Sequence, residues 1–248
     1  MKKLRVKLKN SNKTYQSFRR IHGFEGEFRS YTTHEIFTTE TPKNQRVKIL
    51  KVSDGVGLCL EINDDLMALE VNQDFLHEQM VKLGALNLSI KPRNIVILGG
   101  GDGGILKHCL KLKPRSVKVL ELEEEMVQIC KKYLPHISQG AFEDPRAKMI
   151  YGNAFDTIKK IRKNSQHLFF IDMADCASDS ENQTFGKKYE SLFFNINRCL
   201  KDGGVVVCQA SGYQKEILST FKKFFKNSYG WTDSFELQHA NSFVYATK

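Results

Sequence analysis

What the chain lacks narrows its class first. There is no CxxC pair and no Cys/His cluster at zinc spacing; Cys59, Cys109, Cys130, Cys176, Cys199 and Cys208 are scattered singly, mostly inside apolar patterns. Free core thiols in a reducing compartment are therefore expected, with no disulfide framework and no metal site. No apolar run reaches the roughly 18 residues of a membrane span, and no signal-peptide core is present, so the expected location is the cytosol, away from the membrane. The N-x-Ser/Thr matches at Asn12, Asn87 and Asn182 then carry no weight. Internal repeats and low-complexity segments are absent, and no glycine-rich stretch carries the Lys-Ser/Thr of a P-loop.

Acidic residues are missing from one end. Residues 1–24 hold eight Lys or Arg (Lys2, Lys3, Arg5, Lys7, Lys9, Lys13, Arg19, Arg20) and no Asp or Glu, and supply most of the net charge of +10. Such a run reads as a solvated face or frayed terminus, with an anionic partner as the alternative. No nucleic-acid-binding motif accompanies it, so nucleic acid is not among the expected partners. With 248 residues the chain can bury one α/β core and carry an appendage.

Residues 1–75 read as short β segments. Leu4–Lys9 and Arg46–Val52 alternate, and Gly57–Ile62 follows an Asp54-Gly55 turn, so Val47–Val52 and Leu58–Ile62 are predicted to form a hairpin. A small antiparallel N-terminal domain is expected over 1–75, and a helix over Asp74–Leu83. From Asn94 strands and helices alternate: strands near 94–99, 116–122, 147–151, 167–172, 204–209, 232–238 and 242–247, helices near 103–113, 123–133, 154–163, 185–201 and 213–226. That element count, five βα units and then two strands without a helix between them, matches the seven-stranded Rossmann-like sheet of AdoMet-dependent methyltransferases, expected over 76–248 as the nucleoside-binding domain.

The pattern centres on one stretch. The buried strand Asn94–Leu98 stops in Gly99-Gly100-Gly101-Asp102-Gly103-Gly104, and a helical pattern begins at Ile105. Glycines let backbone approach a ligand, and a helix N-terminus offers unpaired N–H groups. Glu121 ends the next apolar run about 20 residues on, where an acid can hold ribose hydroxyls. Asp102 is the unusual residue, because a turn cradling pyrophosphate would not hold a carboxylate among its amides. It suits a ligand with a positive charge beside its ribose, a sulfonium or an amine; the alternative is a solvated turn Asp. Asn153, Asp172, Asp175 and Gln209 follow the other strands, at the end of the sheet where ligands bind in such folds. Asp172 and Asp175, three apart, could bind a cationic amine and accept the proton an attacking amine must shed. The alternative is that they cap the following turn.

Ile97–Leu106 is similar to the signature turn of the spermidine/spermine synthase family of aminopropyltransferases, and Leu110-Lys111-Leu112-Lys113-Pro114 resembles the spermine synthase branch most closely. Leu120-Glu121-Leu122-Glu123, Cys130–Pro135, Asp144-Pro145-Arg146, the Asp172-x-x-Asp175 spacing and Thr41–Val47 all fall in family order. The resemblance covers about residues 30–248. It implies transfer of the aminopropyl group of decarboxylated AdoMet, a co-substrate and not a resident cofactor, to a polyamine nitrogen, with release of 5′-methylthioadenosine. It implies a homodimer by analogy. Asp102 would contact the donor's amine, within a cradle formed by Gly99, Gly100, Gly101 and Gly103. Glu121 and Leu122 would hold the ribose side, and Asn153 and Ala154 the adenine. Gln45 and His77 would line the donor side from the N-terminal domain. Asp175 would be the base and Asp172 its support.

The sequence also departs from the family. Asn153 replaces an Asp, Leu76 a Tyr and Leu58 a Gln, while Asn241-Ser242 stand where the spermine branch has an acid. The Asp-Pro-x-Gly-Pro loop after the base is replaced by Asp175-Cys176-Ala177-Ser178-Asp179-Ser180-Glu181, whose Asp179 and Glu181 read as amine-binding acids or as a solvated loop. Two other functions stay open: an AdoMet-dependent N-methyltransferase of an amine on the same scaffold, and a non-catalytic relative that binds a nucleoside or polyamine.

Overall fold

The computed structural model describes residues 14–20, 28–53, 55, 57–173, 185–210, 214–233 and 241–248. The expected strand Leu4–Lys9 lies outside them, as does the segment Asp175–Glu181. The chain forms two compact units, Met1–Gln73 and Asp74–Lys248.

The first unit is a five-stranded sheet in sequence order. It contains β1 (Thr14–Arg20), β2 (Phe28–Glu40), β3 (Arg46–Val52), β4 (Gly57–Ile62) and β5 (Asp65–Leu69), each antiparallel to its neighbour. The β3–β4 hairpin forms at the predicted turn: Val52 pairs with Gly57, and Gly55 takes a left-handed φ of 79°. Leu50, Val52, Cys59 and Leu69 make a small apolar cluster. Just after β5 the Glu70 carboxylate reaches back to β4 and accepts the Leu58 N–H at 2.6 Å.

Helix α1 (Glu70–Leu86) leads out of this unit and is longer than its predicted core. The second unit is a seven-stranded sheet in the order β11-β12-β10-β9-β6-β7-β8. In chain order its elements are β6 (Asn94–Gly99), α2 (Gly104–Lys111), β7 (Ser116–Glu121), α3 (Glu124–Tyr133), α4 (Pro135–Ser138), β8 (Ala147–Tyr151) and α5 (Ala154–Thr157). Then follow β9 (Gln166–Asp172), α6 (Phe185–Cys199), β10 (Leu200–Gln209), α7 (Gln214–Phe221), β11 (Asn227–Asp233) and β12 (Asn241–Thr247). Strands β8, β7, β6, β9 and β10 are parallel; β12 pairs antiparallel with β10 and β11. This is the methyltransferase-type sheet, with its last strand reversed.

Alternation of side chains across the strands divides the core in two. Ile95, Ile97, Leu168, Phe170, Val205 and Val207 join α1 and α2 on one face, through Met80, Val81, Ile105, Leu106 and Cys109. Val96, Leu98, Phe169, Ile171, Val206 and Cys208 join α6 and α7 on the other. Burial on both faces is why these strands read as continuous apolar runs. On α6, Tyr189, Leu192, Phe193 and Ile196 recur at helical spacing, and Phe193 meets Phe221 of α7 edge-on with centroids 4.5 Å apart. Among the described residues no helix is long and apolar enough to cross a membrane.

One boundary differs by several residues. The last-but-one strand, expected near 232–238, is β11 at Asn227–Asp233. Tyr229-Gly230 reads as a break, yet the chain runs extended through it. Tyr229 stacks on Tyr245 and Trp231 on Phe243 across the β11–β12 pair, at 5.2 and 5.5 Å, and such cross-strand aromatic pairs outweigh a local turn preference.

Phe221 is fully buried between Phe193 and Phe225. Phe221→Ala is expected to cost about 3–5 kcal/mol in urea unfolding; a loss below about 1 kcal/mol would contradict the packing described.

Candidate functional site

Strand β6 ends at the centre of the sheet, beside the end of β9, with Gly99 in register with Asp172. The chain then turns sharply: Gly99, Gly100 and Gly103 all have φ between 74° and 79°. No side chain fits at Gly99, where a Cβ would strike the Asp172 carbonyl oxygen, and the Gly100 N–H donates to that same oxygen at 3.2 Å. The turn thus lies against the last residue of β9. A Cβ on Gly103 would lie 2.6 Å from the Phe142 ring. The glycines make room for the protein's own side chains as well as for a ligand.

Asp102 is not a solvated turn residue, being only 8% exposed. Its Oδ1 accepts the Gly104 N–H at 2.9 Å, at the start of α2, where backbone N–H groups have no helical partner. Its Oδ2 lies 3.5 Å from His77 Nε2, and the same nitrogen lies 3.9 Å from Asp172 Oδ2. His77 is fully buried, and its ring rests on Gly104 so closely that a Cβ there would overlap it. The expectation that His77 belongs to the N-terminal domain is corrected: it sits on α1 within the second unit, because α1 packs through Met80 and Val81 on the parallel sheet.

Glu121 ends β7 and is 9% exposed. Its Oε1 accepts the N–H groups of Leu122 at 2.7 Å and Glu123 at 3.4 Å, while a Cβ on Gly101 would lie 3.0 Å from its Oε2. Burial raises its pKa to about 7 despite these bonds, and the nearby Asp172 and Asp102 add to the rise. Asp172 is also pushed up from the carboxylate range by burial; His77 opposes this and Asp102 reinforces it. Burial, reinforced by the neighbouring carboxylates, therefore holds Glu121 and Asp172 towards the neutral form. Met126 of α3, which sequence reasoning overlooked, packs 3.1 Å from where a Cβ on Gly101 would stand. Its helical spacing with Val127 and Cys130 was the available signal.

Asn153 caps α5: its Oδ1 accepts the Phe155 N–H at 2.9 Å, so one of the oxygen's two acceptor positions is in use. Ala154 beside it is buried. Gln45 belongs to the first unit, in the turn between β2 and β3, where its N–H lies 3.2 Å from Thr41 Oγ1. Asp175 lies outside the described residues. The structure thus brings together His77, Gly99–Gly104, Asp102, Glu121, Leu122 and Asp172 around one turn, and Asn153-Ala154 follows the next strand of the sheet.

A seven-stranded methyltransferase-type sheet with an acidic rim at its carboxyl end defines the class. The profile of the spermine/spermidine synthase domain matches residues 73–233, well over half the chain, and the protein belongs to that family. Among its relatives, a polyamine aminopropyltransferase of Pyrobaculum calidifontis is 32% identical over 167 residues, covering 65% of this chain and 56% of that protein. One from Prochlorococcus marinus strain NATL1A is 29% identical over 215 residues, covering 86% and 70%. The chain thus spans between about half and 70% of these relatives. In fold it is similar to spermidine synthase of Thermotoga maritima, with TM-score 0.78, 21% identity and coverage of 97% of this chain and 83% of that one. It is also similar to a spermidine synthase in complex with the transition-state analogue AdoDATO, with TM-score 0.81, 22% identity, and coverage of 97% and 84%.

A carboxyl group whose pKa is raised in the folded protein binds more protons there than in the unfolded chain. The contribution of Glu121 to stability is then fully present below pH 4.5 and is lost as pH rises through about 7. Glu121→Gln is expected to remove up to about 3 kcal/mol of that loss between pH 5 and 8. Urea unfolding of both proteins at the two pH values measures it; equal slopes would show that Glu121 is not held up.

Proposed function

We propose that the protein transfers the aminopropyl group of decarboxylated AdoMet to a polyamine nitrogen and releases 5′-methylthioadenosine. The observation that carries this reading is the gathering of Asp102, Glu121 and Asp172 around the glycine turn, each repelling the others. A cationic ligand relieves that repulsion, whereas an anionic one adds to it. Both substrates of the reaction are cations. A carboxylate at Asp102 opposes the carboxylate of ordinary AdoMet, so the rim favours the decarboxylated donor over the one a methyltransferase uses.

The residue roles are these. Glu121, with Leu122 beside it, accepts the ribose hydroxyls. Ala154 and the second acceptor position of Asn153 Oδ1 meet the adenine, while Asp102 and the turn Gly99–Gly103 hold the aminopropyl arm and its amine. The acceptor nitrogen attacks the carbon bonded to sulfur, the C–S bond breaks, and its electron pair stays on sulfur, which turns from sulfonium into a neutral thioether. The attacking nitrogen gains a bond and sheds a proton to Asp175, with Asp172 as its support. Because the sulfonium already activates the carbon, positioning and proton removal supply most of the catalysis. We further propose a cytosolic homodimer, for which the resemblance to the family is the support.

Purified protein given decarboxylated AdoMet with putrescine, spermidine or spermine is expected to release methylthioadenosine with at least one amine; no release across the panel would refute the reading. Calorimetry with AdoMet in place of the decarboxylated donor is expected to show binding at least about tenfold weaker, and equal affinity would favour a methyltransferase. Asp175→Asn should lower kcat by about 10²–10⁴ with donor affinity kept. Light scattering decides between dimer and monomer.

Glu121 makes a further outcome measurable. Near pH 7 it is partly protonated, and hydroxyls donating to the carboxylate favour its ionised form. Binding of methylthioadenosine at pH 6.5–7 should therefore release a fraction of a proton, seen as a dependence of the calorimetric heat on buffer ionisation enthalpy. Glu121→Gln should bind more weakly with no proton release. A wild-type heat independent of buffer would exclude Glu121 as the ribose ligand.

A further inference from the structure

Beside the acidic rim, α1 and α2 share a second group of charges. Asp74 Oδ1 lies 2.6 Å from Lys107 Nζ and 2.7 Å from His108 Nε2, and Lys111 Nζ lies 3.3 Å from His108 Nδ1. Lys107 and His108 are buried, at 9% and 3% exposure, and among the described residues Asp74 is the ion-pair partner of Lys107. Burial keeps His108 below its usual pKa, so the ring is neutral near pH 7. With the tautomer assigned from its neighbours, Nε2–H donates to Asp74 and Nδ1 accepts from Lys111. Every member of the chain Lys111–His108–Asp74–Lys107 is paired: Asp74 is 64% exposed and Lys111 exposed, so the two buried groups, Lys107 and His108, meet their partners at the edge of the helix pair.

The cluster falls in a seam between two helices. Gly104, Lys107, His108 and Lys111 occupy one face of α2, and Asp74, His77, Val81 and Gly84 one face of α1. His77 rests on Gly104, and one turn earlier on α1 Asp74 meets residues one turn later on α2, so the two helices run in opposite senses here. Further along α1, apolar packing takes over: Met80 and Val81 are buried, and a Cβ on Gly84 would lie 3.0 Å from Phe170. Next to Asp74, Leu76 also packs on that core, while Phe75 is 39% exposed.

We propose that Asp74 is a positioning residue, whose clamp on Lys107 and His108 fixes the Asp74–His77 turn of α1 to α2 and so sets where His77 stands between Asp102 and Asp172. Asp74 lies about 5 Å along the helix from His77, at the end away from Met80 and Val81, so without it that end of α1 can pivot about the apolar packing. His77 lies at the point such a pivot moves, and about 1 Å of misplacement at a reacting centre can cost on the order of 10²-fold in rate. The inference rests on the proposed aminopropyl transfer only for its kinetic consequence.

The test uses the full chain with Asp74→Ala, Asp74→Asn and Asp74→Glu. The readout that needs no substrate is the set of His77 ring signals in an NMR spectrum, assigned with His77→Gln, which report where the ring stands. Asp74→Ala is expected to displace those signals and to lower kcat about tenfold, with KM changed less. Asp74→Glu, which keeps the charge, should return the signals to their wild-type positions and kcat to within about threefold of wild type. Should Asp74→Ala fail to fold, Asp74→Asn, which keeps the shape and loses the charge, is read in the same way. Unmoved His77 ring signals in a folded charge-loss variant overturn the proposal, and so does a kcat equal to wild type or a failure of Asp74→Glu to restore. If the wild-type protein transfers no aminopropyl group, the functional reading falls, and the His77 ring signals alone still decide the clamp.

Discussion

The structure depends on holding negative charges close together where water is scarce. Asp102, Glu121 and Asp172 end or follow three adjacent strands; Asp102 and Asp172 hinder the ionisation of Glu121, and Asp102 that of Asp172. Left to themselves such groups would turn to solvent or take up protons. They stay because their backbones are fixed by the parallel ladder, because Asp102 and Glu121 accept backbone N–H groups, and because His77 stands between two of them. The arrangement is unfavourable when empty and favourable around a cation. That difference is what a site for charged amines and a sulfonium needs.

The supporting architecture follows from that requirement. A sheet buried on both faces cannot shift one strand without disturbing two cores, so the end of β9 and the turn after β6 keep their register. The glycine turn is shaped by its own neighbours: the Asp172 carbonyl, the Phe142 ring and the His77 ring occupy the space that side chains at 99, 103 and 104 would need. Close approach of backbone to protein on one side leaves the turn's geometry determined before any ligand arrives, and preorganisation of that kind lowers the cost of binding.

Much of this was legible from residue order. Apolar runs ending in polar residues located the strands and the rim, because a doubly buried parallel strand has no polar face and must place its chemistry at its end. Glu121 and the Gly99–Gly104 turn were visible for that reason. His77 was visible only through the family resemblance and was attached to the wrong unit, since a helix between two domains shows no local sign of which sheet it will cover. The role of the Asn153 oxygen as a helix cap was equally hidden, because an Asn before a helix and an Asn facing a ligand look alike in sequence. The course of β11 through Tyr229-Gly230 depended on aromatic partners in β12 that periodicity cannot weigh.

The sequence by itself determined the order of elements, the position of the acidic rim and the family, because hydrophobic period, glycine spacing and the sign of charge are local properties. Tertiary structure alone decided how those charges meet. Asp102 became a buried partner of His77, and Asp74 reached Lys107 and His108 across 33 and 34 positions of chain, because α1 and α2 pack side by side on one face of the sheet. Coulombic interaction and desolvation depend on distance and surrounding water, neither of which is written in residue order.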